Sequence, residues 1–182
     1  IETALIPHKL ALTATPIPRT MAMSVYANMD ISIIDELPPG RLPIQTTSLG
    51  MKKKDQLIGR IKEACLKGSQ VYWVCALIEE SELMNANPVE ETYEQIIKQI
   101  PSIECSFLHG KMKSDEKLNT INKFKNGETQ IMVSTTVIEV GVDVPDADIM
   151  IIENAERFGL AQLHQLRGRI GRGKKQSHCI LL

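Results

Sequence analysis

Short apolar runs alternate along this chain with segments whose apolar residues recur every three or four positions. That is the pattern of successive βα units and a mostly parallel sheet. Residues 56–67 place Leu57, Ile58, Ile61, Ala64 and Cys65 on one helical stripe, with Gly68 as the stop. A strand rich in Val, Tyr and Trp is expected from about Gln70 to Leu77, followed by an acidic connection. A second helix opens at Asn87-Pro88, sets Val89, Tyr93, Ile96, Ile97 and Ile100 on one face, and ends at Pro101. Ile103 to Leu108 reads as a strand running into His109-Gly110. Ser114 is the expected cap of a helix that turns Leu118, Ile121 and Phe124 inward and closes at Gly127. Further strands are expected at Ile131 to Val133, Ile149 to Ile152 and His178 to Leu182, with a helix from about Gly159 to Arg172.

The N-terminal part follows another pattern. Leu10 to Thr13 reads as a strand, Ala14 to Pro18 as a turn and Arg19 to Ala27 as a short helix, while Asp35 to Pro43 carries three prolines and a glycine and reads as a connector. The boundary is placed there: residues 1–35 as the tail of a preceding domain, residues 36–182 as the domain proper. A tail cut from its sheet would leave Leu10 to Thr13 disordered or free to pair with another chain. The absence of a methionine at Ile1 is what a piece of a longer protein would show.

Composition narrows the class. With 43% hydrophobic and 24% charged residues, the chain has the mix of a globular domain. No apolar run approaches the ~20 residues of a membrane span; the longest, Val71 to Ile78, suits a buried strand. Cys65, Cys75, Cys105 and Cys179 are scattered without zinc spacing, so reduced thiols and a cytoplasmic setting are expected, with no metal site. The net charge of −1 is unremarkable, but its distribution is uneven. Glu79, Glu80, Glu82, Glu90, Glu91 and Glu94 fall in a stretch with no cation, whereas Arg157, Arg167, Arg169, Arg172, Lys174 and Lys175 crowd near the C-terminus. Such polarity either aims one face at phosphate or marks two solvated faces of opposite sign.

The sharpest local signal is the segment Gly159 to Arg172. As a helix it gathers Leu160, Leu163, Leu166 and Ile170 on one side and Gln165, Arg169 and Arg172, spaced i, i+4, i+7, on the other. Arg167 falls with the apolar residues. Gly168 and Gly171 each cost a helix roughly 1 kcal/mol relative to alanine, which points to a need for clearance. Outward guanidiniums in a row suit bidentate phosphate contacts; a solvated basic helix is the plainer alternative. A second signal, Ser134 to Pro145, follows an apolar strand, where open parallel sheets bind ligands. Thr135 and Thr136 offer hydroxyls to phosphate and Asp143 a carboxylate, unless Thr135 merely caps a helix and Asp143 a turn. Thr13 to Thr20 and His109-Gly110 are weaker signals. There is no G-x-x-x-x-G-K-[ST] loop, no D-E-x-H-like acid segment and no nucleophile set, so the chain holds no complete active site.

Taken together and in this order, these segments resemble the superfamily 2 helicases, whose motor is two RecA-like domains sharing one ATP. T-A-T-P from Thr13 looks like motif III, Thr135 to Asp143 like motif V, and Gln165 to Arg172 like motif VI, Q-x-x-G-R-x-G-R in form. Asp35 to Arg41, Tyr72 to Glu82 and Val137 to Pro145 look like the RecG type in particular, and the similarity covers essentially the whole chain. The resemblance implies a RecA-like second motor domain: an open, mostly parallel sheet with helices on both faces, a three-layer sandwich.

It also implies roles. Arg169 and Arg172 would reach the γ-phosphate, Arg172 as the finger. Gly141 and Asp143 would lie on the nucleotide side, with Gln165 coupling it to DNA. Thr135 and Thr136 would contact the DNA backbone, as would His109 and Gly110, and Thr13 and Thr15 would join the first domain's ATP state to its motion. ATP and Mg2+ would be held mainly by a first motor domain. The partners would be forks and branched DNA junctions, the protein's own first motor domain and its wedge domain, with self-association of a truncated piece as a further expectation. The place of work would be the bacterial cytoplasm, on the nucleoid during replication-fork reversal, recombination and repair. Three other readings stay open at this point: the matching domain of a transcription-repair coupling factor, a non-catalytic interaction domain, and a nucleotide-independent DNA-binding module.

Overall fold

A computed structural model describes residues 10, 32–34, 36, 40–76, 88–135, 147–171, 173 and 175–182. Contacts divide the chain into Ile1–Glu36 and Leu37–Leu182. Of the first unit only Leu10, Ser32, Ile33, Ile34 and Glu36 are described, and the expected strand, turn and helix there lie outside the described residues. The second unit holds every element that follows.

Its six strands are β1 (Gln45–Ser48), β2 (Gln70–Cys75), β3 (Cys105–Leu108), β4 (Ile131–Thr135), β5 (Ala147–Glu153) and β6 (His178–Leu181). They form one sheet in the order β1-β6-β5-β2-β4-β3, and every neighbouring pair is parallel. The helices are α1 (Lys54–Leu66), α2 (Pro88–Gln99), α3 (Ser114–Lys125) and α4 (Leu160–Arg167). Because side chains alternate along a strand, each inner strand serves two cores. On one face Val71, Trp73, Cys75, Ile131, Val133 and Ile151 pack beneath α1 and α2. On the other, Tyr72, Val74, Met132, Met150 and Ile152 meet Phe124 of α3 and Leu163 and Leu166 of α4. β2 and β4 are buried at every position, as a sheet covered on both faces requires. The three-layer α/β architecture expected from the sequence is the one observed.

Four local expectations need correction. Residues 45–48 were not expected as a strand; β1 is polar and exposed throughout, an edge strand with no apolar alternation to betray it. Leu118 does not join the core of α3 but is 59% exposed, leaving Phe124 as that helix's buried residue. Lys113, not Ser114, occupies the cap position of α3, and it makes no side-chain capping bond. Finally, the helix expected to reach Arg172 stops at Arg167.

Candidate functional site

A parallel sheet brings all its strand ends to one edge, and connections leaving that edge are placed to meet ligands. Here Thr135, Cys75 and Glu153 end β4, β2 and β5 side by side in register. After Glu153 the chain reverses through Asn154, whose φ of 54° lies in the left-handed region that Asn tolerates, and a short 3-10 turn, Ala155–Arg157. Gly159 then opens α4, its N–H donating to Gln162 Oε1 at 3.1 Å. The arginine segment thus hangs directly from the C-terminal end of β5.

The end of α4 explains why helical spacing misled. Gly168 N–H still bonds back to His164 O, but Arg169 N–H reaches only to Leu166 O, a tightened final turn. Gly171 then takes φ +75°, which no helix continues through. An ideal Cβ there would sit 3.0 Å from Ile44 Cγ1. The clearance inferred from the glycines is therefore used at Gly171, by Ile44 of the chain itself. Gln165 and Arg169 do not share a face of one helix: Gln165 is exposed on α4, and Arg169 lies half-buried beyond it. Leu160 is 87% exposed rather than part of the apolar face, whereas Ile170 is fully buried. Arg167 is half-buried with a nitrogen 3.2 Å from His164 Nδ1, in keeping with its place among the apolar residues. The Arg169 guanidinium has no hydrogen bond or ion pair among the described residues. Arg172 lies outside the described residues, as do Gly141, Asp143, Thr136, Thr13 and Thr15.

Thr135 is 3% exposed, and its hydroxyl, like that of Ser134, finds no partner among the described residues. Leaving a buried hydroxyl unpaired costs about 1–3 kcal/mol, so the end of β4 is underused as it stands. His109 and Gly110 follow β3, three strands from β5 and therefore roughly 14 Å away along the same edge, at ~4.8 Å per strand. The His109 ring stacks on Phe107 at 5.9 Å between centroids, with Nε2 3.4 Å from Glu90 Oε1. Gly110 is exposed and its carbonyl accepts from Lys117 Nζ at 2.6 Å.

Sequence reasoning missed two groups. At the end of β5, Glu153 accepts from Lys54 Nζ at 2.6 Å, Trp73 Nε1 at 2.8 Å and Thr92 Oγ1 at 3.2 Å, and it is 7% exposed. A carboxylate closing an apolar strand was the available signal. The other is Arg41, whose guanidinium lies on the carbonyls of Ile170 and Gly171. Arg41 closes the segment Asp35 to Arg41 that carried part of the resemblance, but nothing in that segment gave the arginine a role. Cysteine chemistry is absent from this edge: burial pushes the thiols of Cys65, Cys75 and Cys105 up to about 12 and that of Cys179 to about 11. Among the described residues no cluster of His, Cys, Asp and Glu fits a metal ion, and no helix is long and apolar enough to cross a membrane.

Comparison with known proteins identifies the family. Residues 52–174 match the family described as Helicase conserved C-terminal domain. The chain is 55% identical over 97% of its length to the ATP-dependent DNA helicase RecG of Escherichia coli O127:H6, covering 26% of that protein. It is 51% identical over 98% of its length to the protein of the same name from Aquifex aeolicus, covering 22% of it. The chain therefore spans about a quarter of the length of these relatives. Among solved structures, RecG bound to a three-way DNA junction superposes with a TM-score of 0.75 at 43% identity, over 92% of this chain and 22% of that one. Dbp5 of S. cerevisiae bound to RNA and ADP BeF3 shares the fold with a TM-score of 0.62 at 18% identity, over 93% of this chain and 43% of that one.

Proposed function

This chain belongs to the helicase conserved C-terminal domain family, and from that premise we propose that it is the second motor domain of a RecG-type ATP-dependent DNA helicase acting on forks and branched junctions. The observation that carries the reading is the 55% identity to a RecG helicase sustained over 97% of the chain. It also disfavours a transcription-repair coupling factor as parent.

The described residues fit half of a nucleotide site. Arg169 is a half-buried guanidinium with no anion to meet among them, and Gln165 stands exposed one turn before it. Neither the sequence nor the described residues supply a phosphate-cradling loop or a cluster of acids for Mg2+. Both ATP and Mg2+ would thus be held mainly by a first motor domain, with Arg169 and Arg172 supplying positive charge to the γ-phosphate from this side. When bound, ATP supplies the phosphoanhydride whose cleavage drives the cycle. The residues of this chain bind and orient: two guanidiniums offset the charge that builds on the transferred phosphoryl group. Gly141 and Asp143 would line the nucleotide side. Thr135, Thr136, His109 and Gly110 would meet the DNA backbone, and Thr13 and Thr15 would link to the first domain's ATP state. The Thr135 hydroxyl, without a partner among the described residues, supports a contact at that strand end. A wedge domain elsewhere in the parent would divide the fork, and the place of work is the bacterial cytoplasm, on the nucleoid.

The test is fork-DNA-stimulated ATP turnover by the full-length parent with and without Arg172→Ala. A loss of roughly 10²-fold or more, with DNA binding intact, is expected of an arginine finger. An unchanged rate would take the finger role from Arg172 and move it to Arg169.

A further inference from the structure

Where α4 ends, two carbonyls are left that no helical N–H takes up, and the chain fills them from 129 and 130 residues away. Arg41 Nε donates to Gly171 O at 3.0 Å, and a terminal nitrogen of the same guanidinium donates to Ile170 O at 3.2 Å. A planar guanidinium is the one side chain whose donors are fixed in a fork able to hold two adjacent carbonyls at once. Three further contacts tie the same stretches together. Ile44 packs onto Gly171 closely enough that a Cβ would overlap it at 3.0 Å. Gln176 Nε2 donates to Pro43 O at 2.7 Å, and Gln45 N–H to Ser177 O at 2.9 Å. Residues 41–45 are thus bonded to both flanks of Arg172, before it at Ile170 and Gly171 and after it at Gln176 and Ser177.

We propose that Arg41 is a positioning residue for phosphoryl transfer: by holding the Ile170 and Gly171 carbonyls it fixes the turn between Arg169 and Arg172. This rests on the reading of the chain as a helicase motor domain and assigns a role to a residue to which the segment resemblances gave none. The physical need is plain. Past the i→i+3 bonds of Arg169 and Ile170 the backbone leaves the helix with Gly171 at φ +75°, where the Arg41 fork holds the carbonyls, while a guanidinium misplaced by 1 Å can cost about 10²-fold in rate. Arg41 is half-buried, so its two bonds are sheltered from full competition with water.

The experiment uses the full-length parent and measures fork-DNA-stimulated kcat, KM for ATP and melting temperature. The variants are Arg41→Lys, which keeps the charge and loses the fork, and Arg41→Gln, which keeps one donor and loses the charge. Positioning predicts a roughly 10- to 100-fold fall in kcat for Arg41→Gln with KM changed less than about threefold, and partial recovery with Arg41→Lys. In an Arg172→Ala background the Arg41 changes should cost no more than about twofold further, because residues acting through one another are not additive. A normal kcat, or losses that multiply with Arg172→Ala, would overturn the proposal. So would failure of both variants to fold, which would make Arg41 a purely structural residue. If the parent shows no fork-stimulated turnover at all, the functional reading fails and this inference with it. If the parent turns over normally and the Arg41 variants match it, the inference alone fails.

Discussion

Asp148, buried as the second residue of β5, has one carboxylate oxygen accepting from Ser69 Oγ at 2.9 Å and the other unpartnered among the described residues. Burial raises its pKa from the usual 3.8, against the lowering influence of the Ser69 hydrogen bond and of Lys175. The sign of the consequence follows. A carboxyl whose folded pKa lies above its unfolded value contributes its stability below the unfolded pKa, and that contribution is lost as pH rises through the folded pKa. At neutral pH the ionised Asp148 is therefore a net cost. Asp148→Asn keeps an acceptor for Ser69 and removes the charge, so it should raise the urea midpoint near pH 7. The advantage should shrink as the pH falls toward 3.8, where the wild-type carboxyl is protonated too. A variant less stable than wild type at neutral pH would mean that the attraction of Lys175 outweighs the desolvation.

Between elements, the strongest tie on the site's edge is the cluster around Glu153. Lys54 at the start of α1, Thr92 in α2 and Trp73 in β2 all donate to its carboxylate. The Lys54 ammonium also lies 5.5 Å from the centroid of the Trp73 ring. Removing one member of a buried charge pair leaves the other uncompensated, at a cost of about 3–5 kcal/mol. Glu153→Ala should lower stability by that order, while Lys54→Met combined with Glu153→Gln should recover much of it. The chain's single tryptophan, fully buried, reports both through its fluorescence in urea. A loss below about 1 kcal/mol for Glu153→Ala would show that water enters and solvates Lys54.

The cluster also shows what a sequence can and cannot disclose. α1, α2, β2, β4 and β5 were legible because each carries its own periodicity, and the arginine segment because its charges are neighbours in sequence. β1 was not, since Gln45, Thr46, Thr47 and Ser48 are all exposed and only pairing with β6 makes them a strand. The end of α4 was overrun because apolar spacing continues to Ile170 while the last turn tightens after Gly168 and Gly171 turns the backbone away. Lys54–Glu153 and Arg41–Gly171 bridge 99 and 130 residues, distances over which no local pattern operates.

At the scale of the whole molecule, charge decides how much DNA binding this chain can manage unaided. Its 21 cations and 22 anions leave a net charge of −1, so attraction must come from the basic stretch near the C-terminus. Within that stretch Arg167 sits against His164, and Lys175 donates to Gly68 O at 2.9 Å. Of the described arginines, exposed Arg157 and Arg169, which has no ion pair among the described residues, are left for phosphate. Each phosphate neutralised contributes about −0.9 to the slope of log K against log salt on duplex DNA. The isolated chain should therefore bind a fluorescently labelled fork weakly, with a slope of roughly −2 to −3 by anisotropy between about 50 and 200 mM salt. A full-length parent with the proposed first motor domain and wedge should be both tighter and steeper. A slope of about −6 or beyond for the chain alone would recast it as an autonomous DNA-binding module. It would also assign the basic stretch chiefly to DNA, leaving Arg169 and Arg172 to compete between two phosphate partners. A shallow slope would mean that the basic stretch meets few DNA phosphates, as the proposed nucleotide role of Arg169 and Arg172 requires.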